Sequence, residues 1–434
     1  MTHYKVSRFT HAVGMAHRGL TQTALYQTMS KAFCLVPNAT WVQILKEPER
    51  IQDTEILNGL MKHGFLVSDT VNESAALGIY KQQYVHDTGT AKFRTLMTDD
   101  CNFRCGYCYI DHGKQHMRAE TLRQIDAFYI RLLRKIRPKK VIDNYLGGEP
   151  LLKAGLVIAS ASRRRHYAMG SGIDHVWGIT TNGYLLTRPL VREMCAAGIS
   201  EIRVSLAGPA EVHNALRPLK GGGDTYSRIL ANLKASSDLI GFGVETQYRA
   251  DETDYGRIPE MMDELLEAGV NVTGIEFSPI FPPRHKPWVE AGVPDPGIYP
   301  WLCSEAAKRG LKAQDEVASG SFCMADARHY YVFDSLGNIL PCPALGCGEL
   351  SYGNVFDGID FIKEAQILTR NLPDRCSQAC DIAPLCFGGC RLQPYHVSGS
   401  FCEVDCQYDA LKAGLLVFIE ARALKAFGQP TKAA

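Results

Sequence analysis

The stretch Cys101-Asn-Phe-Arg-Cys105-Gly-Tyr-Cys108-Tyr109 places three cysteines on one short loop, directly after the apolar run at 93–97. Iron–sulfur clusters are held by cysteine thiolates and normally take four of them, so three thiolates leave one iron free for an outside ligand. Catalytic zinc sites also keep an open position, whereas structural ones are closed. The alternative interpretations are a zinc knuckle or a chance cluster in a cysteine-rich chain. The loop predicts a metal centre that binds a further molecule.

The cysteine spacing, with the aromatic Tyr107 before the third cysteine, resembles the fingerprint of the radical S-adenosylmethionine (SAM) superfamily. The resemblance implies that Cys101, Cys105 and Cys108 hold a four-iron cluster. It also implies that the amino and carboxylate groups of SAM occupy the free iron, and that Tyr107 belongs to the SAM site.

The composition limits the classes of partner. The 434 residues include 47 Lys plus Arg and 46 Asp plus Glu, a balance that does not favour nucleic acid. The start lacks the apolar core of a secretion signal, and no run of about 18 apolar residues predicts a membrane span. We therefore expect a soluble, cytoplasmic protein with no membrane partner. Fifteen cysteines in such a chain favour metal ligation or redox chemistry over disulfides.

Residues 1–92 are predicted to form a small separate domain. The segment that begins at Thr40 and the segment from Asp53 to Gly64 carry the start and stop signals of two short helices, and Phe65-Leu-Val follows as a strand. Two helices and a strand suit a winged-helix-like unit. The region resembles the peptide-recognition domains that are fused to many radical SAM peptide maturases, while a structural cap without a binding role is the alternative.

Residues 93–290 alternate strand-like and helix-like segments, which is the signature of parallel βα units. Strands are predicted at 93–97, 141–146, 176–181, 201–206, 244–249 and 274–280, with helices such as 119–135 and 258–268 between them. The fold class is therefore α/β, with a partial (β/α)6 parallel barrel. Chemistry on such a scaffold lies at the carboxyl ends of the strands. A basic run at 163–166 is interpreted as a solvated helix face.

The segment Gly147-Gly148-Glu149-Pro150 follows the second predicted strand. Glycines allow the backbone to approach a ligand closely, and a carboxylate can accept hydrogen bonds from an ammonium group. By resemblance, this segment holds the amino group of SAM.

Three further polar residues lie at or just past strand ends. By resemblance, Asn182 and Ser205 bind the ribose hydroxyls of SAM, and Arg249 binds its carboxylate. Turn or capping roles are the alternatives for Asn182 and Ser205. Position 207 is Ala, where the family usually has Asp.

Residues 291–322 are rich in proline at their start and are predicted to be a connector with a helix near 301–311. Residues 323–434 then carry a second cysteine code. The cysteines of this region are Cys323, Cys342, Cys347, Cys376, Cys380, Cys386, Cys390, Cys402 and Cys406. The spacing resembles the SPASM extension of peptide-modifying radical SAM enzymes, which binds two auxiliary four-iron clusters.

The family pattern implies a ligand set for each auxiliary cluster. Cys323, Cys342 and Cys390 would hold the nearer cluster, with Cys347 as an optional fourth ligand. The outer cluster would take Cys376, Cys380 and Cys386, together with either Cys402 or Cys406. One departure is the pair Cys376 and Cys380, which three residues separate where the family usually has two. Zinc is the alternative metal for these cysteines.

The resemblance implies a radical SAM oxidoreductase with three 4Fe-4S clusters, which forms a 5'-deoxyadenosyl radical. It would modify a side chain of a ribosomally made precursor peptide, giving a thioether or carbon–carbon crosslink. Its partners would be that peptide and an electron donor such as a flavodoxin or ferredoxin.

Two rival functions are open. An anaerobic sulfatase maturase, which forms formylglycine, would share the same span, but its proposed base follows the cysteine that matches Cys342, and this position is Pro343. A non-catalytic electron carrier or redox sensor would need only the clusters. It would leave Glu149, Ser205 and Arg249 without a role.

Overall fold

The computed structural model describes residues 3–17, 19–51, 53–280, 295, 297–313, 323–344 and 350–428. Cys347, part of the predicted connector and the last residues lie outside these ranges. In the described part of the chain, no helix is both long and apolar enough to cross a membrane.

The N-terminal region combines small sheets with three helices. Its strands are β1 (Tyr4–Val6), β2 (Thr10–His17), β3 (Leu20–Gln27), β4 (Phe33–Pro37) and β5 (Leu66–Ser68), and its helices are α1 (Asn38–Lys46), α2 (Thr54–Lys62) and α3 (Glu73–Val85). Strands β2, β3 and β4 form an antiparallel sheet, and β1 pairs with β5. The predicted helices and the strand after them are confirmed. The hairpin strands β2 to β4 were not predicted.

Helix α2 shows why the local sequence signals succeeded here. The Asp53 carboxylate accepts hydrogen bonds from the backbone N–H groups of Glu55 and Ile56, both at 3.0 Å. Such an N-cap satisfies donors that the first turn leaves unpaired. The apolar face of the helices then packs on the sheet around Leu25, Trp41 and Ile44.

The central region is a curved parallel sheet wrapped by helices. Its strands are β6 (Thr90–Leu96), β7 (Lys140–Leu146), β8 (Asp174–Thr181), β9 (Glu201–Ser205), β10 (Phe242–Tyr248) and β11 (Val272–Pro279). Its helices are α4 (Ala119–Ile136), α5 (Ala154–Gly170), α6 (Arg188–Ala197), α7 (Ala210–Leu216), α8 (Tyr226–Ser236), α9 (Glu252–Tyr255), α10 (Ile258–Glu267) and α11 (Ile298–Lys308). Neighbouring strands pair in parallel from β6 to β11. All six predicted strands and the α/β fold class are confirmed.

The C-terminal region extends this sheet. It contains β12 (Tyr330–Phe333), β13 (Asn338–Leu340), β14 (Gly353–Asn354), β15 (Gly358–Ile359), α12 (Phe361–Leu368), α13 (Ala383–Cys386), α14 (Leu392–Ser398) and α15 (Tyr408–Gly428). Strand β12 pairs in parallel with β6, so the ten-stranded order is β11-β10-β9-β8-β7-β6-β12-β13-β14-β15. Helix α15 packs across β2 and β3, where Leu415 and Ile419 contact Met15 and Tyr26. The two ends of the chain therefore share one core.

The basic run at 163–166 is not simply a solvated helix face. Arg164 is fully buried, and it bonds Asp126 through Nε at 2.8 Å and Asp143 through Nη1 at 2.6 Å. Two carboxylates and the rings of Tyr129 and Tyr145 compensate the cost of desolvating the guanidinium. The prediction was wrong for Arg164 because its partners come from α4 and β7, which the run itself does not reveal.

Candidate active site at the carboxyl ends of the strands

The three-cysteine loop starts where β6 ends, and it is tied at its base. The backbone N–H of Met117 donates to the Met97 carbonyl at 2.9 Å, and Thr98 Oγ1 donates to the Gln115 carbonyl at 2.8 Å. These contacts close the loop on itself. Its cysteines therefore lie above the carboxyl end of the sheet, as predicted for a site on parallel strands.

Of the three thiols on the loop, Cys101 is buried, and Cys105 and Cys108 are partly buried. Burial raises the pKa of Cys101 to about 12, and negative charge on Cys105 and Cys108 adds to the shift. The Phe103 N–H donates to Cys101 Sγ at 3.3 Å and opposes it. Such a site favours binding of iron over protonation of the sulfur atoms, because a bound cation stabilises thiolates that lie close together.

The donor set of the loop fits an iron–sulfur cluster. In such a cluster each thiolate binds a different iron, and three thiols on one loop offer three such ligands. The N–H group that donates to Cys101 Sγ is a further feature of sites of this kind.

Gly147 and Gly148 lie directly against the cysteine loop. The Gly148 N–H donates to the Thr98 carbonyl at 2.7 Å, and a Cβ on Gly148 would stand 2.1 Å from the Asp100 carbonyl oxygen. Gly147 has a φ of 136°, which side chains rarely allow. The glycine pair was expected to admit a ligand; the structure shows that the backbone of the cysteine loop itself requires both glycines.

Glu149 is fully buried beneath this contact. Its carboxylate accepts hydrogen bonds from Leu151 N–H at 2.9 Å, Thr181 Oγ1 at 2.7 Å and Asn182 N–H at 2.8 Å. Burial raises its pKa, and these hydrogen bonds oppose that rise. Glu149 thus joins the ends of β7 and β8, and protein donors use most of its acceptor capacity.

Asn182 and Ser205 both lie at the ends of their strands. Asn182 Nδ2 donates to Asn102 Oδ1 at 2.8 Å and lies 3.8 Å from Cys101 Sγ, so it supports the cysteine loop. Ser205 is 8% exposed and stands opposite Glu245 in the register of β9 and β10. The structure brings both residues to the same edge as the loop.

Arg249 follows β10, and its Nε donates to Asp254 Oδ2. The side chain of Asp254 is 9% exposed, so the carboxylate of this ion pair is largely shielded from water. The predicted role of Arg249 toward a carboxylate stays a prediction, since part of its guanidinium already binds an acid of the protein.

Arg217 makes a contact with Tyr107 that the sequence did not assign. The guanidinium of Arg217 donates to the Tyr107 hydroxyl and, at 3.3 Å, to Gln247 Oε1. The loop after α7 also bonds the cysteine loop through Lys220 N–H and the Asn102 carbonyl at 2.7 Å. No sequence pattern indicated this contact, because Arg217 and Tyr107 are 110 positions apart along the chain.

Two buried donors near the cysteine loop have no protein partner among the described residues. They are Arg217 Nε and Asn102 Nδ2. A buried donor without an acceptor is costly, on the order of 1–3 kcal/mol. The loop therefore suits a ligand with several acceptor atoms, as the carboxylate and ribose of SAM provide.

The inside of the barrel is polar. Arg203 binds Glu276 at 2.9 Å, and Glu245 stands beside Glu276 in the register of β10 and β11. Burial raises the pKa of Glu245, and the charge of Glu276 adds to the shift. A cavity of about 270 Å³ opens toward the amino ends of β9, β10 and β11, with Arg203 and Glu276 in its wall. A buried carboxyl of this kind can take up a proton.

The C-terminal cysteines fall into two groups. Cys323, Cys342, Ala325 and Phe401 share one apolar cluster, which defines an inner group. Cys386 and Cys406 define an outer group, because the N–H of Asp405, next to Cys406, donates to the Gly388 carbonyl at 3.0 Å, two residues after Cys386. Cys347 lies outside the described residues.

Thiols in all three regions accept backbone hydrogen bonds from the residue two positions ahead. Phe103 donates to Cys101, Ala325 to Cys323, and Gly388 to Cys386. Hydrogen bonds to sulfur are one of the features that set the reduction potential of iron–sulfur clusters. The cysteines of both regions thus fit the same kind of metal group.

Comparison with known proteins finds a family match within the barrel. Residues 95–248 match the model of the Radical SAM superfamily, and this match supports SAM and a 4Fe-4S cluster as the cofactors of the site. The matched range runs from the end of β6 to the end of β10 and contains Cys101, Cys105 and Cys108.

Among curated proteins, the chain is similar to GTP 3',8-cyclase of Caulobacter vibrioides, with 32% identity over 196 residues. It is also similar to the same enzyme of Rhodopseudomonas palustris, with 30% identity over 196 residues. Each match covers 43% of this chain and 52% of the relative, so the chain spans about half the length of the curated relatives it matches. These relatives belong to a different radical SAM branch from the one expected.

Solved structures share more of the fold. anSMEcpe with bound AdoMet and the Cp18Cys peptide has a TM-score of 0.62 at 16% identity, covering 78% of this chain and 99% of that one. Streptococcus suis SuiB bound to the precursor peptide SuiA has a TM-score of 0.56 at 15% identity, covering 94% and 99%. At such identities the likeness concerns the fold.

Proposed function

We propose that this chain is a radical SAM enzyme that oxidatively modifies a side chain of a ribosomally made peptide, forming a thioether or carbon–carbon crosslink. The observation that carries the proposal is the combination of a three-cysteine loop inside the range that matches the Radical SAM superfamily with a second set of cysteines in the C-terminal region, where strand β12 continues the sheet of the barrel. A substrate at the barrel mouth would lie near both cysteine regions. Electron transfer to a second cluster suits an oxidative outcome.

With SAM and its cluster bound, the site would supply a 5'-deoxyadenosyl radical that removes a hydrogen atom from the substrate. The protein positions the reactants and excludes water. Gly147, Gly148 and Glu149 would lie at the amino group of SAM, Asn182 and Ser205 at its ribose, and Arg249 at its carboxylate. Arg217 and Asn102 keep buried donors available for the same ligand.

Glu245 would accept the proton that an oxidative crosslink releases. Pro343 cannot do this, although it follows Cys342 where sulfatase maturases carry an acid. Glu245 faces the interior, and its raised pKa brings it closer to the value of an effective base at neutral pH. Arg203 already forms an ion pair with the Glu276 carboxylate at 2.9 Å. Glu245 is therefore the better proton acceptor of the two carboxylates.

The N-terminal region would bind the precursor peptide as an added strand on β4. In the described residues β4 pairs only with β3. Gln27 N–H donates to the Ala32 carbonyl at 3.0 Å, so alternation along the pair turns the Leu35 N–H away from β3. Main-chain hydrogen bonds to this edge would tether the peptide and raise its effective concentration at the barrel.

The tether is tested with Leu35→Pro and its matched control Leu35→Ala. Both remove the same packing against α15, but only proline removes the outward N–H. We expect Leu35→Pro to weaken binding of a fluorescent precursor peptide about tenfold more than Leu35→Ala, measured by anisotropy. Equal affinities of the two folded variants would exclude this edge.

The reaction is tested by co-expression with any short peptide encoded beside the gene. Mass spectrometry is expected to show a loss of two hydrogens, since a crosslink removes one from each partner atom. Formation of formylglycine on a sulfatase peptide would favour the maturase alternative instead. Reduction of the iron in the protein without formation of deoxyadenosine would favour the electron-carrier alternative.

GTP is a second candidate substrate because of the curated relatives, which share 43% of this chain. A purified, reconstituted enzyme incubated with GTP, SAM and reductant distinguishes it. We expect no loss of GTP above the enzyme-free control. A flavodoxin or ferredoxin would supply the electron in the cell, and either is expected to replace dithionite in the peptide assay.

A further inference from the structure

We propose that Cys402 is the fourth thiolate of the inner auxiliary cluster, with Cys323, Cys342 and Cys390, and that Cys406 closes the outer one with Cys376, Cys380 and Cys386. This inference rests on the proposed function, which requires the two auxiliary clusters. It resolves a choice that cysteine spacing left open, and it gives each cluster four cysteines.

The first argument is the position of Cys402 beside a buried cation. Arg391 is fully buried, and its Nη2 lies 4.0 Å from Cys402 Sγ. The backbone N–H of the same residue lies near the Cys323 thiol, and Cys390 directly precedes Arg391 in the chain. One residue therefore touches or adjoins three cysteines, all assigned here to the inner cluster.

The second argument is the packing of Phe401. This ring is 6% exposed and lies in the apolar cluster that also includes Cys323 and Cys342. Arg391 stands 4.4 Å from the ring centroid, and its Nε donates to the Phe401 carbonyl at 3.0 Å. The backbone just before Cys402 is thus fixed at the inner group, although the Cys402 side chain itself is exposed.

Cys406 lies with the outer group. The Asp405 N–H donates to the Gly388 carbonyl at 3.0 Å, and a Cβ on Gly389 would stand 2.2 Å from the Asp405 carbonyl oxygen. Gly388 and Gly389 follow Cys386, and both donate N–H groups to its sulfur. The backbone before Cys406 therefore packs directly on the Cys386 turn.

The chain between the two cysteines is long enough to serve both clusters. Four residues span at most about 13–14 Å when extended. Residues 402–407 contain no helix or strand, so no regular secondary structure fixes the position of Cys402 relative to Cys406. Each cysteine would bind as a thiolate and release its proton on ligation.

The inner cluster is tested alone in a full-length variant that lacks the other two. Cys101, Cys105, Cys108, Cys376, Cys380 and Cys386 are replaced by Ala, which should leave about four irons per chain. Adding Cys402→Ala is expected to lower the iron content and change the EPR signal of the reduced cluster. Adding Cys406→Ala or Cys347→Ala should leave both unchanged.

The reciprocal background keeps only the outer cluster, through Ala at 101, 105, 108, 323, 342 and 390. In this background, Cys406→Ala is expected to alter the EPR signal of the reduced outer cluster. Cys402→Ala is expected to leave that signal unchanged. An inner signal that responds to Cys347→Ala or Cys406→Ala, and not to Cys402→Ala, would overturn the assignment. If Cys402→Ala fails to fold by circular dichroism, Cys402→Ser replaces it, and an unchanged spectrum of that variant also overturns the assignment.

The parent protein separates this failure from failure of the proposed function. About 12 irons per chain in the unaltered protein, with wrong responses in the variants, would remove only the ligand assignment. About four irons in the unaltered protein would mean that the auxiliary clusters do not exist. Both proposals would then fall.

Discussion

The two cysteine regions are held in different ways. The loop of Cys101 is fixed by strand ends, through the Gly148 N–H and the Asn182 amide. The C-terminal cysteines lie among short helices and turns, around Asp326, which binds Arg370 at 2.8 Å and Arg391 at 3.2 Å. All three of these charged side chains are buried.

This difference shows how each region fixes the position of its cysteines. A parallel sheet gathers its strand ends at one edge, so any chain with this pattern brings the Cys101 loop to Glu149 and Asn182. A buried charge cluster has no such general geometry. It carries two positive charges against one negative charge, and the excess would be compensated by thiolates of the nearby cluster.

The strongest way to break the comparison is to remove the loop thiols. Cys101, Cys105 and Cys108 changed together to Ala should abolish SAM cleavage and remove about a third of the iron, because two clusters remain. Deoxyadenosine is measured by chromatography and iron by colorimetry. Cys195→Ala on α6 is the matched control and should retain both, whereas deoxyadenosine from the triple variant would refute the site.

The support of the loop by strand ends is tested with Glu149→Gln. An amide group in place of one oxygen would face a backbone or hydroxyl donor, so the free energy of unfolding should fall by about 1–3 kcal/mol. SAM affinity, measured by calorimetry, should fall with it. Glu201→Gln removes the same charge from a partly exposed ion pair and should change stability by less than about 1 kcal/mol.

The charge cluster of the C-terminal region is tested with Arg391→Met. Loss of the buried cation should lower the reduction potential of the inner cluster by tens of millivolts, on the order of 1 kcal/mol, because reduction adds negative charge. EPR-monitored titration measures this. Arg375→Met replaces an exposed arginine and should leave that potential unchanged; equal shifts in both variants would contradict the role of burial.

A smaller effect is expected for Tyr107→Phe. The variant removes the hydroxyl that accepts from Arg217 but keeps the ring, which should cost about 1 kcal/mol and weaken SAM binding roughly fivefold. Tyr167→Phe on α5 serves as the control. Unchanged SAM affinity in Tyr107→Phe would show that the Arg217 contact does not order the loop.

Much of the barrel was predictable, because strand and helix periods alternate regularly from β6 to β11. The same pattern located Glu149, Asn182 and Ser205 at one edge. The hairpin of β2 and β3 was missed, since its Ala and Gly residues give a weak strand signal. The contact between Arg217 and Tyr107 was missed as well, because the two residues are 110 positions apart and only the folded chain joins them.

The parallel pairing of β12 with β6 has a consequence for synthesis of the chain. Tyr330 of β12 pairs with Lys92 of β6. One edge of β6 therefore stays unpaired while more than two hundred further residues are synthesised, which takes about 10–50 s at typical elongation rates. An unpaired strand edge invites association with other chains. Nascent chains that end at residue 322 are therefore expected to sediment as oligomers, and full-length chains are not; monomeric truncated chains would show that the edge is protected in another way.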